Sequence, residues 1–302
     1  MRRKALLIGG ALSVLVGVIL TEGPREAGWE SFAPVMLNTM AEAAVQEQSC
    51  IEDWEQLAIR GVGRAVAPYD RFPVRAQAKV MALEGARAMA YGPLCECIVG
   101  VRVTKGTKVK DGIPTDEIVK YCEGFIKGAV VKNEEVEEDA QAAMGVVTLE
   151  IALRGEKGVE GQLPPKLSPP PPPPQPRQEP RPAAPPPPAT PAFNGLILDA
   201  RGLAAYPALY PEVLAEGGRG VYHWHDVDRE HRTLFGRVTN AVEKAKALLQ
   251  QQGATNPLVV RVARMEGPTT YVISAADAKK VISADLQTQF LRKSQVVFVL
   301  GL

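Results

Sequence analysis

PPKLSPPPPPPQPRQEPRPAAPPPPATP, running from Pro164 to Pro191, holds 16 of the chain's 26 prolines, with unbroken runs from Pro169 to Pro174 and from Pro185 to Pro188. Proline has no backbone N–H to donate, fixes its own φ and pushes its predecessor into the extended region. The stretch reads as a stiff polyproline II rod with neither helix nor sheet, which at about 3.1 Å per residue could hold two bodies several tens of ångströms apart. Working outward from it, the chain divides into an N-terminal segment (1–23), a helical spacer (24–53), a first domain (54–155), the proline-rich linker (156–192) and a second domain (193–302). Each domain, at about 100 residues, holds one modest core.

Composition is that of an ordinary globular protein, 46% hydrophobic and 23% charged. A formal net charge of +1, with no basic face in the sequence, argues against nucleic acid as a partner, because phosphate neutralisation needs clustered lysine and arginine.

The N-terminus points to export. Met1-Arg-Arg-Lys4 is a positive n-region and Ala5 to Leu20 is an apolar run that turns polar at Thr21. As a helix the run rises about 24 Å, short of the roughly 30 Å hydrocarbon core, which favours a cleaved signal. Thr21-Glu22-Gly23 before Pro24 is a poor cleavage site, so an uncleaved inner-membrane anchor with the arginines inside is the alternative. Both readings place the bulk of the chain in the periplasm or cell envelope.

The first domain reads as β-α-β-α-β-β. Leu57, Ile59, Gly61 and Gly63 alternate with Ala58, Arg60, Val62 and Arg64 as a strand weakened by glycine. Val74, Ala78, Met81, Ala82, Gly85, Ala88 and Met89 recur at helical spacing, and so small a stripe lets a helix approach a sheet closely. Cys95, Cys97, Val99, Val101 and Val103 alternate as a half-buried strand. Thr115-Asp116-Glu117 starts a helix carrying Ile118 and Cys122, Phe125 to Val131 reads as a strand, and Glu134 to Asp139 is an acidic exposed edge or turn. Val147, Leu149, Ile151 and Leu153 close the domain, pairing as an antiparallel hairpin in an α+β fold with helices on one sheet face.

Four of these segments carry a family resemblance: Arg75-Ala-Gln-Ala-Lys-Val-Met-Ala-Leu-Glu-Gly-Ala-Arg87, Cys97 to Val103, Glu123 to Val131, and Val146 to Leu153. Over residues 54–155 the chain resembles the small outer-membrane lipoprotein family that includes flagellar basal-disk proteins and the N-terminal domain of flagellar T-ring assembly proteins. The resemblance implies an exported envelope protein that builds homo-oligomeric rings or disks, with envelope or flagellar-type assembly partners. No cysteine follows the apolar run, a departure that argues against a lipid anchor.

The second domain reads as mixed α/β. Gly195 to Leu198 is a strand, Val213–Ala215 and Gly220–His223 flank the Gly217-Gly218 hairpin turn, and Asn240 with Glu243 forms a capping-box pattern before a helix stopped by Gly253. Pro257 to Ala263 suits an interior strand, Thr270 to Ile273 another, and Ser274 with Asp277 caps a helix stacking Ala278, Ile282, Leu286 and Phe290. Val296 to Leu300 is a final buried strand. The domain is similar to C-terminal domains found beside lipoprotein-like modules in exported bacterial proteins.

Candidate sites have bland readings. Cys95, Cys97 and Cys122 lie on apolar stripes and read as small buried hydrophobes, with a disulfide from Cys122 to a strand cysteine and a metal site as alternatives; Cys50 is the one expected to pair between chains. His223, His225 and His231 would approach zinc-ligand geometry if the strand ran on, but a solvated hairpin end explains them without metal. No P-loop, nucleophile elbow or dinucleotide fingerprint is present, so no catalytic residue, cofactor or metal is expected. The expectation is a non-enzymatic, self-associating envelope protein, with a periplasmic ligand- or metal-binding protein, its site in the second domain, as the alternative.

Overall fold

The computed structural model describes residues 50–104, 106–114, 117–167 and 192–301. The expected signal or anchor, the spacer up to residue 49 and the proline run from residue 168 to 191 lie outside the described residues. Two α+β bodies make up the rest. In the first, β1 (Cys50–Asp53) and β2 (Ala58–Pro68) precede α1 (Arg75–Gly100); then come the short β3 (Arg102–Thr104) and β4 (Thr107–Lys108), α2 (Ile118–Gly128), β5 (Val130–Glu138) and β6 (Ala142–Ala152). The order is β-β-α-β-β-α-β-β, and residues 50–53, expected in a helical spacer, form an edge strand.

The main sheet runs β1-β2-β6-β5, antiparallel throughout, and α1 crosses one face of it. Glycine makes that crossing close. A β-carbon on Gly63 would stand 2.1 Å from the Ala86 carbonyl oxygen, and one on Gly145 would stand 2.5 Å from that of Ala82, distances no side chain tolerates. Ala78, Ala82, Ala86 and Ala90 fill this groove at four-residue spacing, all fully buried. The close approach is the expected one, but the buried stripe is rotated: Met81 and Met89 face outward. The expected strand at Cys95 to Val103 is a correction. The helix runs to Gly100, and only Arg102–Thr104 is strand. Positions two apart on a helix differ by about 200°, so the period-two pattern reflects two cysteines reaching opposite neighbours. Phe125 is likewise helical and fully buried in α2, so the following strand starts only at Val130.

All four cysteines are paired, Cys50 with Cys97 and Cys95 with Cys122. The reading of three buried free thiols is overturned, as is pairing of Cys50 between chains. Cys50 enters from β1 against the sheet-facing side of α1, while Cys95 reaches α2.

The second body contains β7 (Gly195–Asp199), β8 (Glu212–Ala215), β9 (Gly220–Tyr222), β10 (Arg237–Thr239), α3 (Val242–Gln251), β11 (Pro257–Arg261), β12 (Arg264–Met265), β13 (Thr270–Ile273), α4 (Ala275–Thr288) and β14 (Val296–Val299). One parallel sheet has the order β10-β14-β7-β11, and a second, mixed sheet has β12-β13-β8-β9. β14, apolar throughout, and β7, apolar up to Asp199 at its end, take the centre, as strands buried on both faces must. The stretch expected as an interior strand, β11, lies at the edge with Val259 exposed; Pro257 supplies no N–H to a ladder and suits an edge. Ser274 Oγ caps α4 by accepting from the Asp277 N–H at 3.0 Å, as its sequence predicts. Its buried stripe is Ala278, Val281 and Ala284, with Leu286 exposed. Helix α3 has Ala241 at its N-cap and no side-chain cap, so the Asn240 capping box does not form.

The bodies are not held apart. One continuous core runs from Trp54 and Phe125 through Tyr210 and Phe235 to Leu300. Backbone bonds cross between them, from the Leu209 N–H to the Arg102 carbonyl at 2.9 Å, Tyr210 to Val103 at 2.8 Å and Val238 to Trp54 at 3.2 Å. A rod's contour length is the greatest separation it permits, and apolar burial decides whether that separation is used. The mouth of the proline run itself packs: Pro165–Leu167 is a 3-10 turn, and Leu163 and Leu167 are buried.

Candidate functional site

Where β6 ends, Arg154 carries a charge from the first body into the second. Its side chain is 2% exposed. Nε donates to the Phe235 carbonyl oxygen at 3.0 Å and another guanidinium nitrogen donates to the Leu209 carbonyl oxygen. Glu160 supplies a carboxylate at 3.7 Å. The rings of Trp224, Phe235 and Tyr210 stand 5.1, 5.4 and 5.6 Å from the guanidinium carbon. Burial pushes the Arg154 pKa down and Glu160 opposes it; arginine's intrinsic basicity keeps it charged. Burial, with Glu160 nearby, also holds the Tyr210 hydroxyl well above the ordinary tyrosine range. A desolvated cation enclosed by three rings, two carbonyls and one acid fixes the orientation of two bodies.

Sequence reasoning missed Arg154. An arginine just past an alternating strand looks like any solvated strand end, and the carbonyls and rings around it lie more than fifty residues away.

Beside it an open cleft of about 670 Å³ runs along Ala58, Arg60, Lys132, Glu150 and the Gly155–Gly158 turn. The charges on its strands are matched: Arg60 meets Glu150 at 2.6 Å and Asp53 at 3.0 Å, and Lys132 meets Glu150 at 3.1 Å. Burial raises the Glu150 carboxyl, but its hydrogen bonds to Arg60 and Lys132 outweigh that and hold it below the usual range.

The strand before the histidines stops at Tyr222, so the face that would align His223 and His225 is not built. Two 3-10 segments follow, Trp224–Asp226 and Arg229–Leu234. His223 Nδ1 lies 3.2 Å from Asp226 Oδ2, and His231 Nε2 lies 3.5 Å from Glu230 Oε1. Among the described residues no group of three or more His, Cys, Asp or Glu side chains is placed to hold a metal. The hydrogen bond to Asp226 raises the His223 pKa, whereas burial lowers that of His225.

Among the described residues, no element covers the other face of the first body's sheet beyond the Gly155–Gly158 turn at one end, and one long edge is unpaired. Ile51, Val66 and Val130 are 46%, 55% and 59% exposed, and β5, at the edge, presents Glu134, Glu135, Glu137 and Glu138. Among the described residues no helix is long and apolar enough to cross a membrane.

Residues 195–301 match the family model described as the second domain of Treponema pallidum Tp0624. That is about a third of the chain and takes in β7 through β14. No curated protein matches the chain. The second body is thus similar to a known domain, while the lipoprotein-family resemblance of the first rests on its own residues.

Proposed function

We propose that this chain is a non-enzymatic structural or assembly protein of the bacterial cell envelope, exported by its N-terminal segment, whose first body self-associates into a homo-oligomer of the ring or disk kind. The observation that carries it is the sheet of the first body, covered by α1 on one face and bare on the other, with Ile51, Val66 and Val130 exposed. Bare apolar sheet surface is how small domains associate with copies of themselves. The basic and apolar N-terminus, the resemblance over residues 54–155 and the two disulfides, which suit an oxidising compartment, support the placement. Flagellar function does not follow from resemblance to flagellar proteins.

Light scattering on the full chain in mild detergent tests the reading. A mass above the monomer, rising with concentration, is expected. A monomer at all concentrations overturns self-association, and metal that co-purifies and is lost when His223, His225 and His231 become alanine establishes the binding protein instead. Truncation at Gly161 is not an adequate test, because it strips the partners of Arg154 and removes Leu163 and Leu167 from the core.

A further inference from the structure

We infer that the bare face of the β1-β2-β6-β5 sheet is the contact between two copies of this chain, related by a twofold axis that lies between the sheets and parallel to β6. The inference rests on the self-association reading, not on its ring or disk form, and names one of its surfaces: an isologous twofold contact closes at two copies, so any larger ring would need a second contact elsewhere.

Register defines the face. Arg64 pairs with Val146, which pairs with Glu135; Val66 pairs with Met144, which pairs with Glu137; Val62 pairs with Thr148, which pairs with Asn133. Residues opposite one another in antiparallel strands share a face. Gly63 and Gly145 lie under α1, so these three rows alternate to the side away from it. Across the face, β2 contributes base and valine, β6 an apolar or neutral centre, and β5 acid and amide.

The acids divide by face. On the α1 side Glu134 is paired with Arg87 and Glu138 with Lys79. On the bare side Glu135 accepts only a neutral bond, from Asn133 at 2.6 Å. None of Arg64, Glu135 and Glu137 is in an ion pair among the described residues.

This pattern selects one arrangement. An axis parallel to β6 lays β2 of one copy over β5 of the other, so Arg64 faces Glu135 of the second copy, Val146 meets Val146, and the row repeats in reverse. An axis across the strands would set β2 on β2 and β5 on β5, base on base and acid on acid. Edge pairing of β5 with a second β5 would likewise bring four glutamates against four, which is how acidic edges resist pairing. Isologous contact requires self-complementarity, and the charged row of Arg64, Val146 and Glu135 has it only in the first arrangement. The three long strands offer a footprint on the order of 500 Å² per copy, below the roughly 800 Å² per partner of a standard interface, which predicts a weak, reversible dimer.

Cross-linking captures such a dimer in the full chain. Val146→Cys lies on the axis and is expected to give a dimer linked by a short bis-maleimide, which spans the roughly 10 Å between facing sheets, as is Thr148→Cys. Val66→Cys alone is expected to give none, but to cross-link when mixed with Glu137→Cys. In the Val146→Cys background, Arg64→Glu or Glu135→Arg is expected to cut cross-linking about tenfold, and the two together to restore it. Absence of a dimer from both axial cysteines, in protein whose scattering mass exceeds the monomer, overturns this face as the contact and leaves self-association standing. Absence of a dimer in monomeric protein overturns both. Failure of the double reversal to restore cross-linking overturns the axis.

Discussion

Arg154 Nε donates to the carbonyl oxygen of Phe235 at 3.0 Å, joining residues 81 positions apart and on opposite sides of the proline run. A proline-rich connection normally signals independent modules, and this contact makes the two bodies one. The charge it buries costs desolvation, which the aromatic walls, carbonyls and Glu160 offset only when all are in place.

Arg154→Ala is therefore expected to lower unfolding free energy by about 3–5 kcal/mol, because two buried carbonyls lose their donor and Glu160 loses the opposite charge beside it. Replacing the pair together, Arg154→Met with Glu160→Gln, is expected to cost less than half of that. Chemical denaturation of the full chain measures both, and equal losses would mean that the ring contacts rather than the charge hold the junction.

Gly63→Ala and Gly92→Ala form a matched pair. The first forces a methyl into the backbone of α1 and is expected to destabilise by about 1–3 kcal/mol or more. The second meets no neighbour apart from the ring of Pro93 that follows it in α1, so the gain in helix propensity is opposed by the pre-proline clash and stability is expected to change by less than about 1 kcal/mol. A melting temperature that falls clearly for the first variant and little for the second would establish that the groove depends on glycine.

Peptide mapping under non-reducing conditions is expected to find Cys50 joined to Cys97 and Cys95 to Cys122, with no free thiol. Cys50→Ala with Cys97→Ala opens a link between residues 47 positions apart and is expected to cost about 2–5 kcal/mol. Free thiols in protein isolated without reductant would contradict the pairing.

What the sequence made legible was local. The alternating strands at Ala58–Pro68 and Ala142–Ala152, the alanine helix against glycine, the hairpin at Gly217-Gly218 and the Ser274 cap each follow from residues within one element. Cys95 to Val103 misled because a five-residue alternation fits a helix that meets two neighbours as well as a strand that meets one. The long-range features had no local signal. Arg154 acquires its meaning from Tyr210, Trp224 and Phe235, and the row Arg64-Val146-Glu135 exists only once the register of three strands is known.

The histidines give a prediction with a sign. Asp226 hydrogen-bonds His223 and raises its folded pKa above the ordinary 6.5. A raised folded pKa contributes stability that is fully present below the unfolded pKa and is lost as pH rises through the folded one. Asp226→Asn removes that contribution, so the stability gap between wild type and variant is expected to be widest below pH 6.5 and to narrow as pH climbs past it. It does not close, because Asp226 also accepts the His223 backbone N–H at 3.0 Å at every pH. His225, whose pKa burial and then Arg232 lower, is itself held up in part by the Asp226 charge, so the variant lowers it further and the gap at low pH widens in the same direction. NMR titration is expected to place His223 above 6.5 and His225 below it, with both moving down in the variant and His223, which loses its hydrogen bond, moving the more. A gap that widens toward alkaline pH would show that Asp226 acts chiefly through the backbone turn.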